Sequence, residues 1–335
     1  MTGDARSYSE PAADYAAAVA HVAVARRTER SFIRVFGRDP VRMVQGLASN
    51  DIARASAQRA VYTAVLTPKG KMIADVRVFR RGADLLLEVD AAAAGPLMAH
   101  LRKFVPPLFA RVDAADGEWC VHTVVGPAAA ETLRSVLQVG TLPDAEDAAC
   151  SAKYGDHDVV DDVVIVATSY ARVPGFDLLA TPPAGDRLRS ALLEAGAAPL
   201  GSATLDVLRI EAGTPKWGAE LDETVIPLEA GLRSRAISET KGCYTGQEVV
   251  VRILHRGHVN WLLRGLRLGD SPAPARGTEL TDGTGKVRAR VTSAAWSPWQ
   301  GETIALAYVR REVEPGDTLP LERGGTAVVV ELPFR

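Results

Sequence analysis

Apolar and polar residues alternate over short stretches, and these are broken by longer segments of helical period. Residues 31–35 (SFIRV) read as a strand ending at Gly37. Asp39-Pro40 then opens a helix, with Val41, Val44 and Leu47 on one face. Residues 60–66 and 72–79 are strand-like and are joined by the turn Thr67-Pro68-Lys69-Gly70; residues 84–89 form a third strand after Arg81-Gly82. Residues 91–105 have helical period and stop at Pro106-Pro107. A strand at 120–125 precedes a helix at 127–137. Strands recur at 163–167 and 177–179. A helix at 186–195 ends at Gly196, and another spans 202–212 with Ser202 as its cap.

From Trp261 the texture changes. Short β runs at 261–268, 279–280, 286–295, 305–308 and 327–332 alternate with Gly/Pro turns, the pattern of a small antiparallel barrel. The chain has 335 residues, more than one core usually supports. The expected organisation is a flexible start at 1–14, an α+β region at 15–257 and a barrel at 258–335. Residues 16–25 are the one signal-like apolar run. Acidic residues precede it, His21 interrupts it and it is too short to span a membrane, so it reads as a buried helix or strand.

Charge narrows the function. Lys plus Arg number 39 against 41 for Asp plus Glu, a net charge of −2, which argues against a dedicated nucleic-acid binder. Three separated cysteines, Cys120, Cys150 and Cys243, without a C-x-x-C, argue against a zinc or disulfide framework and fit a reducing cytoplasm. Lys69-Gly70-Lys71 and Gly283-Thr284-Gly285-Lys286 resemble phosphate loops. Met72 and Val287 stand where Ser or Thr is needed, so both read as hairpin turns. His255 and His258 lack neighbouring carboxylates and fit a helix end better than a metal site.

Residues 241–248 read Lys-Gly-Cys-Tyr-Thr-Gly-Gln-Glu. Thr245 and Glu248 match a capping box, which predicts a helix from about Gly246 with Val249, Val250, Ile253 and Leu254 on its apolar face and Gly257 as its stop. Cys243 then lies near the positive end of a helix, two residues from Lys241, and both favour thiolate. A structural cysteine packed under a turn fits the local pattern equally well.

The segment resembles the K-G-C-Y-x-G-Q-E signature of the YgfZ-type folate-binding family, which is related to the glycine-cleavage T-protein. The likeness continues in residues 32–51, with a Gly-Arg-Asp turn and an Asn-Asp ending, and in 68–76, 209–213 and 285–309. It implies an α+β, T-protein-like fold of ferredoxin-like subdomains with a C-terminal antiparallel β-barrel. It also implies tetrahydrofolate, or a one-carbon derivative, as the cofactor. Cys243, Lys241 and Asp75 become the expected catalytic residues. Gly242, Tyr244, Gly246, Gln247 and Glu248 complete the signature.

A reduced pterin needs an acceptor for its donor edge, apolar walls for its faces and cations for its glutamate tail. Glu211, Trp217 and Phe176 are candidates for the first two; Arg172, Arg209 and Arg233 are candidates for the third; the resemblance adds Asp75 and Asp90 to the cofactor-binding set. The chain also departs from T-proteins. Their R-x-G-Y-T-G-E segment is replaced by Arg172-Val173-Pro174-Gly175-Phe176-Asp177, their asparagine after the third strand by Asp90, and they lack the cysteine at the position of Cys243.

The resemblance therefore implies first a folate-binding accessory protein for iron–sulfur cluster assembly or repair, acting through Cys243 on iron–sulfur proteins or their assembly factors. A folate-dependent aminomethyl- or methyltransferase centred on Asp75 is the alternative. A module that touches tRNA weakly, in folate-linked tRNA modification, is a third.

Overall fold

The computed structural model describes residues 11–156, 159–321 and 324–335, which form two compact units. Among the described residues, the first comprises 11–30, 57–59, 117–156 and 159–208. Its elements are α1 (Pro11–Ala20), β1 (Ala23–Arg26), β7 (Cys120–Val125), α4 (Ala129–Val136), β8 (Ala149–Asp156), β9 (Val159–Thr168), β10 (Gly175–Ala180), α5 (Pro182–Glu194), β11 (Ala198–Pro199) and the start of α6 (Ser202–Glu211). The strands form one sheet in the order β11-β1-β7-β10-β9-β8, with β11 parallel to β1. Alternate residues of β7, β9 and β10 (Val124, Val163, Ile165, Leu178) meet Leu133 of α4 and Leu188 and Leu192 of α5 in an apolar core.

The apolar run at 16–25 supplies part of α1 and part of β1, as its composition predicts. Of the start expected to be flexible, residues 1–10 lie outside the described residues. Residues 11–14 form the first turn of α1, where buried Asp14 accepts the Gly201 N–H at 3.2 Å.

The second unit comprises, among the described residues, 31–56, 60–116, 209–321 and 324–335. Its first sheet has the order β3-β4-β5-β2-β6, built from β2 (Arg30–Gly37), β3 (Val61–Leu66), β4 (Met72–Arg81), β5 (Asp84–Asp90) and β6 (Ala110–Ala114). The strand alternation fixes two faces. Val76, Val78, Leu85 and Leu87 pack under Ala93, Leu97 and Leu101 of α3 (Ala91–Phe104). The other face carries Tyr62, Asp75, Arg77 and Glu88, with Tyr62 opposite Arg77 and Ala64 opposite Asp75. Short α2 (Pro40–Gln45) starts as the sequence predicts, with Asp39 Oδ1 capping the Arg42 N–H.

After α7 (Arg233–Ala236) and α8 (Gln247–Arg256), residues 261–330 form an antiparallel sheet in the order β13-β14-β15-β12-β17-β16. Its strands are β12 (Trp261–Arg267), β13 (Glu279–Thr281), β14 (Val287–Ser297), β15 (Glu302–Arg310), β16 (Thr318–Pro320) and β17 (Thr326–Val330). The edge strands β13 and β16 approach each other, which nearly closes the barrel. Leu266, Leu280, Val291, Ala305, Ala307 and Val329 fill it, whereas Leu263, Ile304 and Leu306 pack outward against Ile210. Both suspected phosphate loops are hairpin turns, one between β3 and β4 and one between β13 and β14.

Candidate functional site

The site is built on the polar face of the first sheet in the second unit. Asp75 lies on β4 and is largely buried. Its Oδ2 accepts the Tyr62 hydroxyl hydrogen at 3.0 Å. Its Oδ1 has no hydrogen-bond partner among the described residues. A buried acceptor left unmade costs free energy, so an orphaned carboxylate oxygen is a place where a ligand's N–H or O–H would be welcome.

Tyr62 is held from behind. Asn50 Nδ2 donates to the Tyr62 carbonyl at 2.8 Å and to the Arg235 carbonyl at 2.9 Å, and the Arg235 guanidinium lies 4.9 Å from the Tyr62 ring centroid. Ser49 stitches the same segment in place: its Oγ donates to Ala236 O at 2.6 Å and accepts the Ala64 N–H at 3.1 Å.

The K-G-C-Y-T-G-Q-E segment packs onto this assembly. Lys241 Nζ donates to three backbone carbonyls, Gln45 and Ala48 at 2.6 Å and Asn50 at 3.0 Å. All three ammonium hydrogens therefore have acceptors. Burial lowers the Lys241 pKa to about 8, with the Asp51 carboxylate opposing the shift. Tyr244 is buried among Ala64, Leu66 and Met72, and its burial, aided by the Glu239 charge, pushes its pKa up to about 12. Gly246 has φ +83°, and a Cβ there would stand 2.6 Å from Thr67 O, so only glycine fits. Cys243 is exposed at the outside of the segment.

One local expectation is corrected. α8 begins where predicted, but Thr245 does not cap it. Gly246 is the N-cap without a side-chain bond, the Thr245 N–H donates to Gly46 O at 3.1 Å, and Gln247 Oε1 reaches back to the Tyr244 N–H at 3.3 Å. The left-handed turn at Gly246 leaves no place for the capping box.

Models of two protein families match the chain: the GCVT N-terminal domain over residues 5–241, and the glycine cleavage T-protein C-terminal barrel domain over residues 262–335. The chain belongs to the glycine cleavage T-protein family. Among curated relatives, the aminomethyltransferase of Rubrobacter xylanophilus is 32% identical over 302 residues, covering 89% of this chain and 79% of that protein. That of Saccharopolyspora erythraea is 32% identical over 295 residues, 84% of this chain and 79% of its own length. The crystal structure of glycine cleavage system aminomethyltransferase T from Bartonella henselae superposes with a TM-score of 0.84 at 21% identity, covering 97% of this chain and 89% of that one. The fold is that of a T-protein, an α+β region with a C-terminal antiparallel barrel.

In this T-protein family member the other expected ligand residues are placed as follows. Trp217 is partly buried and packs against both the α3-side core and the core around Tyr244. Asp90 ends β5 one residue beyond Val89, which pairs with Val76; its Oδ1 caps α3 through the Ala92 N–H at 3.0 Å. Arg209 is almost fully buried; it donates to Glu220 Oε2 and Ser293 Oγ, each at 2.6 Å. Glu211 is buried and accepts the Ser297 hydroxyl at 2.6 Å. These bonds tie both residues to β14. Arg233 is exposed and paired with Glu239 at 2.7 Å.

Arg172 and Phe176 belong to the first unit. Arg172 Nη2 donates to the Tyr15 hydroxyl at 3.3 Å, and Phe176 is part of that unit's core. Sequence reasoning missed Tyr62, Asn50 and Glu220. Asn50 stood in a stretch already singled out, at 32–51, and the alternation of β3 puts Tyr62 on the face of Asp75. Nothing local marked Glu220 as the partner of Arg209. Among the described residues no cluster of three or more metal-ligating side chains occurs, and no helix is long and apolar enough to cross a membrane.

Proposed function

We propose that this chain binds tetrahydrofolate, or a one-carbon derivative of it, at the Asp75 site. The observation that carries the proposal is the buried Asp75 Oδ1 without a partner, beside an Oδ2 fixed by Tyr62. A reduced pterin presents N–H groups that such an oxygen accepts, and Trp217 offers an aromatic wall in the same unit. When bound, tetrahydrofolate supplies nitrogens that accept a one-carbon unit. The chain's own contribution is positional and electrostatic. Tyr62 fixes the rotamer of Asp75, Asn50 fixes Tyr62, and the carboxylate keeps one lone-pair direction open for a ligand hydrogen.

What the folate is used for has two readings. Aminomethyl transfer is favoured by the family and by relatives named aminomethyltransferases. An accessory role in iron–sulfur cluster maintenance, of the YgfZ type, is favoured by Cys243, which stands exposed in the K-G-C-Y-T-G-Q-E segment. A single thiol cannot hold a cluster, so in this second reading the chain acts on a partner's cluster.

The readings separate experimentally. Folate-dependent turnover of an aminomethyl-lipoyl carrier by purified protein, unaffected by Cys243→Ala, supports the first. Absence of turnover, together with loss of cluster-enzyme complementation in Cys243→Ala at unchanged folate affinity, supports the second.

A further inference from the structure

The Lys241 ammonium and the Asp75 carboxylate belong to one hydrogen-bonded chain. Lys241 Nζ donates to Asn50 O at 3.0 Å, Asn50 Nδ2 donates to Tyr62 O at 2.8 Å, and the Tyr62 hydroxyl donates to Asp75 Oδ2 at 3.0 Å. Two further Lys241 bonds, to Gln45 and Ala48, span the end of α2. Every acceptor of Lys241 therefore comes from the segment that also orients Tyr62. Cys243 is two residues from Lys241 and exposed, while Tyr244 beside it is buried against the strand that carries Tyr62. The exposed thiol thus hangs from a loop whose anchors lead back to Asp75.

We propose that Lys241 is a positioning residue that couples the exposed Cys243 loop to the Asp75 carboxylate, so that the state of one is felt at the other. Use of this coupling to signal folate occupancy rests on the function proposed above; the coupling itself does not. A ligand that engages Asp75 fixes Tyr62 and Asn50 more firmly, and through the carbonyl of Asn50 it steadies Lys241 and the thiol it carries. Energetic coupling between sites needs such a contiguous set of contacts with a shared element, and here that element is the segment from Gln45 to Asn50.

The test is the alkylation rate of Cys243 by iodoacetamide, followed by mass spectrometry of its peptide so that Cys120 and Cys150 do not contribute. Four proteins are compared: wild type, Tyr62→Phe, Lys241→Met and the double variant. Each single change is expected to speed alkylation about fivefold, and the double variant also about fivefold, because both cut the same link. Unchanged single variants overturn the proposal, as do effects that multiply to about twenty-fivefold. Should Lys241→Met fail to fold, Tyr62→Phe, which removes only a hydroxyl, decides alone: a wild-type rate in that variant overturns the coupling.

A second arm adds tetrahydrofolate, with its binding measured separately by calorimetry. Protection of Cys243 in wild type that disappears in Lys241→Met at unchanged affinity supports the coupling. Protection that persists in Lys241→Met means direct shielding by the ligand and overturns it. Absence of folate binding refutes the proposed function, and the four-protein comparison still decides the coupling.

Discussion

Tyr62 and Asp75 form an unequal pair: the phenol satisfies Oδ2 at 3.0 Å and leaves the buried Oδ1 unmade. Proteins rarely leave a buried carboxylate oxygen idle, because desolvation without a hydrogen bond is costly. The pair is rigid, since Asn50 binds the Tyr62 backbone and Arg235 covers its ring. This combination of fixed orientation and an open acceptor distinguishes Asp75 from Arg77 and Glu88 on the same face, which satisfy each other at 2.7 Å.

Lys241 is expected to matter for stability as well as for position. Lys241→Met keeps most of the stem and removes three donors, leaving the Gln45, Ala48 and Asn50 carbonyls without them. The expected loss is about 1–3 kcal/mol, read as a lower urea midpoint at unchanged slope. A midpoint equal to wild type would show that the three bonds contribute nothing net.

Arg209 and Glu220 make a stronger case. Both are buried, and Ser293 Oγ bridges them, donating to Glu220 Oε1 at 2.6 Å. Breaking one partner leaves an uncompensated charge. Glu220→Gln is expected to cost about 3–5 kcal/mol by chemical denaturation. Arg209→Met with Glu220→Leu together is expected to cost less than Glu220→Gln alone. A larger loss in the double variant would contradict this reading.

The first unit carries an acid-sensitive element. His122 is fully buried and neither ring nitrogen has a partner among the described residues. Burial, reinforced by the positive charges of Arg26 and Arg189 and opposed by Asp186, lowers its pKa from 6.5 to about 4. The folded state thus favours neutral imidazole. The stability this gives is fully present above pH 6.5 and is lost as pH falls from there towards 4, roughly 3 kcal/mol in all. Urea midpoints measured across this range for wild type and His122→Leu should share one pH dependence only if another group is responsible. The expected result is a markedly flatter profile for the variant.

Much of this architecture is legible in sequence because it is local. The β3–β4 hairpin announces itself by Thr67-Pro68-Lys69-Gly70 between alternating strands, α2 by Asp39-Pro40, and the barrel by its turns. Asp75 is reachable from the family resemblance, and the alternation of β3 would have added Tyr62. The roles of Lys241 and Arg209 are not local. The three carbonyls that hold Lys241 lie more than 190 residues upstream, and Ser293 lies 84 residues beyond Arg209. The T-x-x-E match at Thr245 failed for a related reason: the cap position is a left-handed Gly246 whose missing Cβ makes room for Thr67 O, a close approach set by a distant hairpin.

The most direct measurement is calorimetric titration of the purified chain and its Asp75→Asn variant with tetrahydrofolate under anaerobic conditions. The substitution keeps the side chain's shape and one acceptor oxygen but removes the charge. Saturable one-to-one binding to wild type, weakened about tenfold or more in the variant at unchanged thermal stability, is the predicted result, since a hydrogen bond to a charged group is worth about 1.5–3 kcal/mol. Equal affinity in both proteins, or no saturable binding to wild type, would contradict the Asp75 site.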